Sequence, residues 1–265
     1  MERLLVLRLH VQGCCAEALV NDIPLGRASA PAGTLCLPVH EFLVDGANEI
    51  SLVIQPPQPG KPSSPATQVA DGLIGATLRL LLPRIGRIGS DTEARTVAQV
   101  VWAAADGEVY DAPVVVTNSV VLPIKFPRWR WLDAPPIEQV DLHKPIVAAF
   151  LNKIAADLMR GDVDAMLKVS RLRLEEMALA YQQPLTEVVS RFRSRLQLLY
   201  ATKALRLVVP GVDELVLRKC ANGRLVECLG AAGSPALWAA PTKDGVSSAW
   251  PARLTIINGQ CHILR

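Results

Sequence analysis

The hydrophobic period of this chain changes once, at "LDAPP" (132–136), and that change constrains the fold more than any other feature. Before it, apolar and polar residues alternate, as strands with one buried face require. Leu5, Leu7, Leu9 and Val11 alternate with Val6, Arg8 and His10. Further runs of this kind are "EALVN" (17–21), "EISLVIQ" (49–55), "GATLRLLL" (75–82), "RTVAQVVWA" (95–103) and "PVVVTNSVVLPI" (113–124), with "FPRWRWL" (126–132) as the last. Asn21-Asp22, Asp45-Gly46 and Asp106-Gly107 supply turn chemistry between runs. Seven or eight short strands without a helix predict an all-β sandwich or barrel.

After the change the period is 3.6. Asp141 caps a first predicted helix whose early residues include Pro145 and whose inward stripe is Val147, Phe150, Leu151, Ile154 and Leu158. Asp162 caps a second, with Val163, Met166, Leu167, Leu174, Met177, Ala178 and Tyr181 on one face. Pro184 opens a third, with Leu185, Val188, Val189, Phe192, Leu196 and Leu199 inward and Arg191, Arg193 and Arg195 opposite. Strand-like runs follow at 205–209, 214–219, 224–229, 235–240, 252–258 and 260–265, the last two joined through Asn258-Gly259. The expected architecture is two-domain. A β-sandwich or jelly roll spans 1–132 and a linker 133–142. An α+β domain, three helices and then a curved antiparallel sheet, spans 143–265.

Two resemblances refine this. "ALVNDIPLG" with "LPVHEFLVDGANEISLVIQP" resembles the opening of galactose-binding-like jelly-roll domains over residues 3–55, with Asp22 where that family usually has Gly. The resemblance implies a structural, interaction or sugar-binding module. Sugar binding needs stacking aromatics, and Phe42 is the sole Phe, Trp or Tyr in residues 1–101, so carbohydrate is discounted. "FLNKIAADLMRGDVDAMLKVSRLRLEEMALAY" and "INGQCHILR" resemble the nuclear-transport-factor-like cone fold over 143–265, which ketosteroid isomerases share. That resemblance implies a cone pocket in which enzymes place a carboxylate or a Tyr–Asp pair. No such set is readable here. Tyr181 and Tyr200 lie on predicted helices, and His262 is the single histidine of the predicted sheet.

Charge is divided unevenly. Residues 1–140 carry 11 Lys/Arg against 14 Asp/Glu, a net of −3, whereas residues 141–265 carry 17 against 11, a net of +6. The second half therefore suits an acidic partner or a solvated helical surface. The overall net charge of +3 is too balanced for a generic polyanion binder. Six cysteines without CxxC pairing and four histidines without HxxxH spacing argue against a metal site and for a reducing, cytoplasmic setting. Arg8 interrupts the first apolar run as a signal core, and no run approaches a membrane span. The five-proline segment at 55–72 reads as a mobile loop or a partner-contacting excursion, and "RIGRIGS" (84–90) as a turn.

"KFPRWRWLDAPP" (125–136) stands at the boundary. Trp129 and Trp131 share one parity and Arg128 and Arg130 the other, so a half-buried strand turns the tryptophans inward and the arginines out. With no nucleophile elbow, Walker loop or Rossmann fingerprint, no cofactor is expected. The Ala-, Leu-, Val- and Arg-rich composition looks bacterial. The leading expectation is a non-enzymatic protein-binding protein, an immunity protein or adaptor that neutralises a cognate toxin or effector. Arg128, Arg130, Arg191, Arg193 and Arg195 are its interface candidates. The alternatives are a small-ligand binder or enzyme using the cone pocket, and nucleic-acid binding through "KFPRWRW" and the arginine helix.

Overall fold

The computed structural model describes residues 4–55, 66–83, 94–231, 233–239, 248–250 and 252–265. The expectations for the bulk of the Pro-rich segment and for "RIGRIGS" fall outside them. The chain divides into two compact units, Met1–Arg128 and Trp129–Arg265. It is rich in antiparallel sheet, and the four α-helices among the described residues all lie in the second half.

The first unit contains, among the described residues, ten strands: β1 (Val6–Gln12), β2 (Cys15–Val20), β3 (Ile23–Ala28), β4 (Ala32–Pro38), β5 (Ala47–Gln55), β6 (Ala66–Val69), β7 (Ile74–Leu82), β8 (Arg95–Ala104), β9 (Val109–Ala112) and β10 (Val114–Val121). They form two four-stranded sheets, ordered β4-β1-β7-β8 and β10-β5-β2-β3, and a β6-β9 pair. Alternation decides which rows are buried. Leu7, Leu9 and Val11 of β1 and Ile50, Leu52 and Ile54 of β5 are all inward, and β5 approaches β7 and β8 of the other sheet.

Asn21 and Asp22, both at positive φ, make the two-residue loop between β2 and β3, which short polar side chains tolerate better than most. Asn21 also donates to the Phe42 carbonyl at 2.8 Å and accepts from Glu49 N–H at 2.9 Å. Its neighbour Asn48 is fully buried and fully bonded. The Asn48 amide donates to the carbonyls of Val44 and Gly46, while Oδ1 accepts from Val44 N–H and from Asn21 Nδ2. A buried amide is tolerated only when satisfied in this way.

Two expectations are corrected in this unit, and two edge strands are added to it. Residues 66–69, assigned to a loop, form β6, paired with β9 from Ala66↔Ala112 to Val69↔Val109. The edge strands β3 and β4 had no legible pattern. β3 contains Pro24 and Gly26, and β4 has no fully buried row. Finally, "FPRWRWL" is not a strand. Trp131 lies in a 3-10 turn, Arg130–Asp133, that belongs to the second unit.

Among the described residues the second unit packs α1 (Lys144–Met159), α2 (Val163–Val169), α3 (Arg171–Ala180) and α4 (Leu185–Ala201) with seven short strands. These are β11 (Leu207–Val208), β12 (Val216–Cys220), β13 (Leu225–Leu229), β14 (Trp238–Ala239), β15 (Ser248–Ala249), β16 (Arg253–Ile257) and β17 (Gln260–Ile263). The main sheet runs β12-β13-β16-β17, and β11-β14-β15 form a smaller one. Val147, Leu151, Ile154 and Leu158 of α1 share a core with Leu217, Val226, Leu254 and Ile263 of the sheet.

α1 ends at a Gly161 with φ +82°, whose N–H donates to the Leu158 carbonyl while Asp162 N–H reaches Asp157. Asp162 then accepts from Ala165 N–H at 3.1 Å and caps α2, as its position before the apolar run predicts. A Cβ on Gly161 would stand 2.8 Å from the Tyr200 ring. Gly161→Ala therefore meets both a left-handed backbone and a clash. It should lower the unfolding free energy by about 2 kcal/mol or more, read from the midpoint of urea denaturation.

The single helix expected after Asp162 is two. It breaks at Ser170, which has ψ near 1°. The halves serve different clusters. Val163 and Met166 join the main core, whereas Leu174 and Ala178 pack with Leu167 and with Val188 of α4. One straight helix would not present both stripes correctly.

Candidate functional site

Within the boundary stretch, parity of burial holds although the strand does not. Trp129 is 0% and Trp131 3% exposed, while Arg128 and Arg130 face outward. Buried indoles cannot offer their faces to bases, so stacking on "KFPRWRW" has no physical basis. Arg130 is engaged within its own unit. Its guanidinium donates to Glu175 at 2.7 Å and to the Leu172 carbonyl at 3.1 Å, and its backbone N–H donates to Glu176 at 2.6 Å. Arg171, and after it Arg130, hold the Glu175 carboxyl below the usual range against the opposing effect of burial. Arg130 therefore fastens the 3-10 turn to α3.

The arginines of α4 do not share a face. Residues two apart on a helix diverge by about 200°, whereas residues four apart lie one turn above each other. Arg193 turns to α2 and pairs with Asp164 at 2.7 Å. Arg191 and Arg195 lie together on the other flank. Arg191 donates to Gln183, and Arg195 stands over the Trp250 ring at 5.9 Å. Leu198, 64% exposed, is on the same flank as Arg191 and Arg195. The expected trio resolves into a basic-apolar pair-and-leucine ridge plus one internal salt bridge.

Arg195 and Trp250 also line a cavity of about 130 Å³ in the second unit. Its lining is mixed, with apolar side chains from Leu151 and Ile154 of α1, Met166 of α2, Phe192 of α4 and Ile263 of β17. Among the described residues lining it, the ionisable groups are Arg173 and Arg195, both cationic. The Trp250 indole Nε1 is buried and has no hydrogen-bond partner. A buried donor in this state is worth about 1–3 kcal/mol to whatever satisfies it. None of these three residues was singled out together by sequence reasoning. Arg195 entered as a surface cation, Arg173 as one residue of a quoted helix, and Trp250 not at all.

Two further clusters of buried charge hold the unit together. Glu227 of β13 accepts from Arg253 at 3.2 Å and from Arg218, and Glu176 of α3 accepts from Arg265. Arg265 also lies 5.6 Å above the Trp129 ring. Burial pushes the thiols of Cys14 and Cys228 up, and Cys261 up to about 11, so all three stay protonated at neutral pH. Cys14 lies just before β2 and donates to the Gly75 carbonyl. Among the described residues no group of three or more His, Cys, Asp or Glu could hold a metal, and no helix is long and apolar enough to cross a membrane. No family model, curated protein or solved structure matches this chain.

Proposed function

We propose that this chain is a non-enzymatic protein-binding protein, a bacterial immunity protein or adaptor that occupies an acidic face of a cognate toxin or effector. In this reading the first unit is a jelly-roll sandwich of the galactose-binding-like kind. The second is a cone-like α+β domain of the nuclear-transport-factor-like kind that carries the contact surface. The observation that carries the reading is the outward flank of α4, where Arg191, Arg195 and an exposed Leu198 follow one another in a single row. Arginine beside an apolar anchor is the composition of interface hot spots. The net +6 of residues 141–265 adds long-range attraction for an acidic surface.

The test is co-expression with the product of the adjacent gene and measurement of a stoichiometric complex. Arg191→Glu with Arg195→Glu should weaken that complex about tenfold or more, chiefly through slower association at low salt. Arg193→Ala, which removes an internal salt bridge, should leave affinity nearly unchanged. Absence of any complex with the neighbouring products, or a complex indifferent to the double reversal, rejects the reading. A second reading, small-ligand binding in the second unit, is favoured by the cavity beneath Arg195 and Trp250.

A further inference from the structure

We propose that β10 is a self-association edge, and that two copies of this chain pair β10 with β10, antiparallel, in a register centred on Asn118. The contact lies in the first unit and does not depend on the α4 flank.

β10 stands at the end of the β10-β5-β2-β3 sheet, and among the described residues it is paired on one side, with β5. Its other side presents backbone N–H and C=O groups that a further strand can take up. The remaining edges of the two larger sheets are blunted. β3 contains Pro24, and its register with β2 breaks between Gly26 and Pro24. β8 begins at Arg95, and its register with β7 breaks between Ala98 and Thr96. β4 ends at Pro38. β10 reads "VVVTNSVV", with no charge, no proline and an unbroken register from Val114↔Ile54 to Val121↔Ala47. Its five valines and one threonine suit a pairing strand.

The residue pattern of the strand says what fits there. Val114, Val116 and Asn118 oppose Ile54, Leu52 and Ile50 of β5, so even residues share the inner face and odd residues the outer. A two-fold axis at Asn118 keeps each face with itself. It sets Val115 against Val121 and Thr117 against Ser119 on the outer face, and Val116 against Val120 on the inner. Val115 is 62% and Val121 71% exposed, so the pairing covers valines that a single chain leaves in water. An axis at Thr117 would set Val115 against Ser119 and Val116 against Asn118, mixing apolar with polar.

Matched cross-strand pairs are what stabilise a sheet, and here the strand supplies its own match. A strand without charge also meets its copy without repulsion and gives a charged partner nothing to steer by. Asn118 donates to the Gln99 carbonyl of β8 at 3.0 Å, which fixes the centre of the strand before any partner arrives.

Sedimentation velocity on the full chain should show a reversible monomer–dimer equilibrium. One strand pair is a small interface, so the dissociation constant should be on the order of 10–100 µM. Val115→Lys with Val121→Lys sets like charges opposite each other and should weaken the dimer at least about tenfold. The urea midpoint should stay near that of the parent, because both positions are exposed. Val115→Glu with Val121→Glu should be as weak alone. Mixing the lysine and glutamate variants should restore a dimer between unlike copies, and added salt should weaken it. Asn118→Cys should cross-link to its own copy under diamide, since directly opposed residues stand within disulfide range. Thr117→Cys should not, and the parent with its six cysteines gives the background. A parent that stays monomeric at about 1 mM overturns the proposal, and that is also the result if the edge serves a strand of another protein. A dimer indifferent to the lysine pair overturns it equally, as does cross-linking of Thr117→Cys in place of Asn118→Cys. Arg191→Glu with Arg195→Glu should leave the dimer intact, so failure of the partner reading and failure of this one are told apart.

Discussion

Glu176→Ala should lower the unfolding free energy of the second unit by about 3–5 kcal/mol, the range expected when one partner is removed from a buried ion pair. The size follows from what the substitution leaves behind. Glu176 is 5% exposed and Arg265 3%. The lost carboxylate accepts from the Arg265 guanidinium and, at 2.6 Å, from the backbone N–H of Arg130. Both donors stay in the interior after truncation, the guanidinium with its charge. Glu176→Gln should cost less, because the amide oxygen still accepts one of the two bonds. Glu176→Leu with Arg265→Met should recover most of the loss, because an apolar pair of similar volume removes the desolvation problem altogether. Chemical denaturation of the four proteins, followed by tryptophan fluorescence, gives the comparison. Equal stability of parent and Glu176→Ala would show that the cluster is open to water.

The order of these effects also explains which parts of the molecule were legible in its sequence. Periodicity is a local signal, and elements with one buried row display it fully. β5 reads "NEISLVI" with Ile50, Leu52 and Ile54 inward, and α1 carries Val147, Leu151, Ile154 and Leu158 on one stripe. Turn and cap chemistry was partly plain: Asn21-Asp22, Asn258-Gly259 and the Gly161-Asp162 junction stand where their side chains suggest, whereas Asp141, read as the cap of α1, lies in a 3-10 turn before it and His143 takes the cap position without a side-chain bond. Edge strands carry a weaker imprint, since only part of their surface is buried, and β3 and β4 were invisible for that reason. The break at Ser170 depends on α2 and α3 facing different clusters, which is a tertiary fact.

The candidate site was less legible than the fold. Arg191, Arg193 and Arg195 look like one basic face when read as a string, but 100° per residue sends Arg193 to Asp164 and leaves the other two together. The cavity draws on four helices and the sheet, and its pairing of Arg195 with Trp250 joins segments with no shared motif. Buried ion pairs are likewise silent, because Glu176 and Arg265 are ordinary charged residues until the chain closes.

Trp129→Ala is the second large effect, and it separates two roles for the same residue. A tryptophan reserved for a partner would be exposed in the free protein, and its truncation would reduce binding with little change in stability. Trp129 is fully buried and lies under the Arg265 guanidinium at 5.6 Å. Its removal should therefore destabilise the second unit by about 3–5 kcal/mol, as large-to-small aromatic truncations in a core do. Arg265 loses the ring beneath it, an interaction of about 2 kcal/mol when desolvated. Because Arg265 also pairs with Glu176, the losses in Trp129→Ala and Glu176→Ala share a partner and should sum to more than the double variant shows. A coupling energy near zero in that cycle would mean that ring and carboxylate hold Arg265 independently. A clear coupling would identify Arg265 as the joint that ties the 3-10 turn at 130–133 and α3 to the end of the sheet.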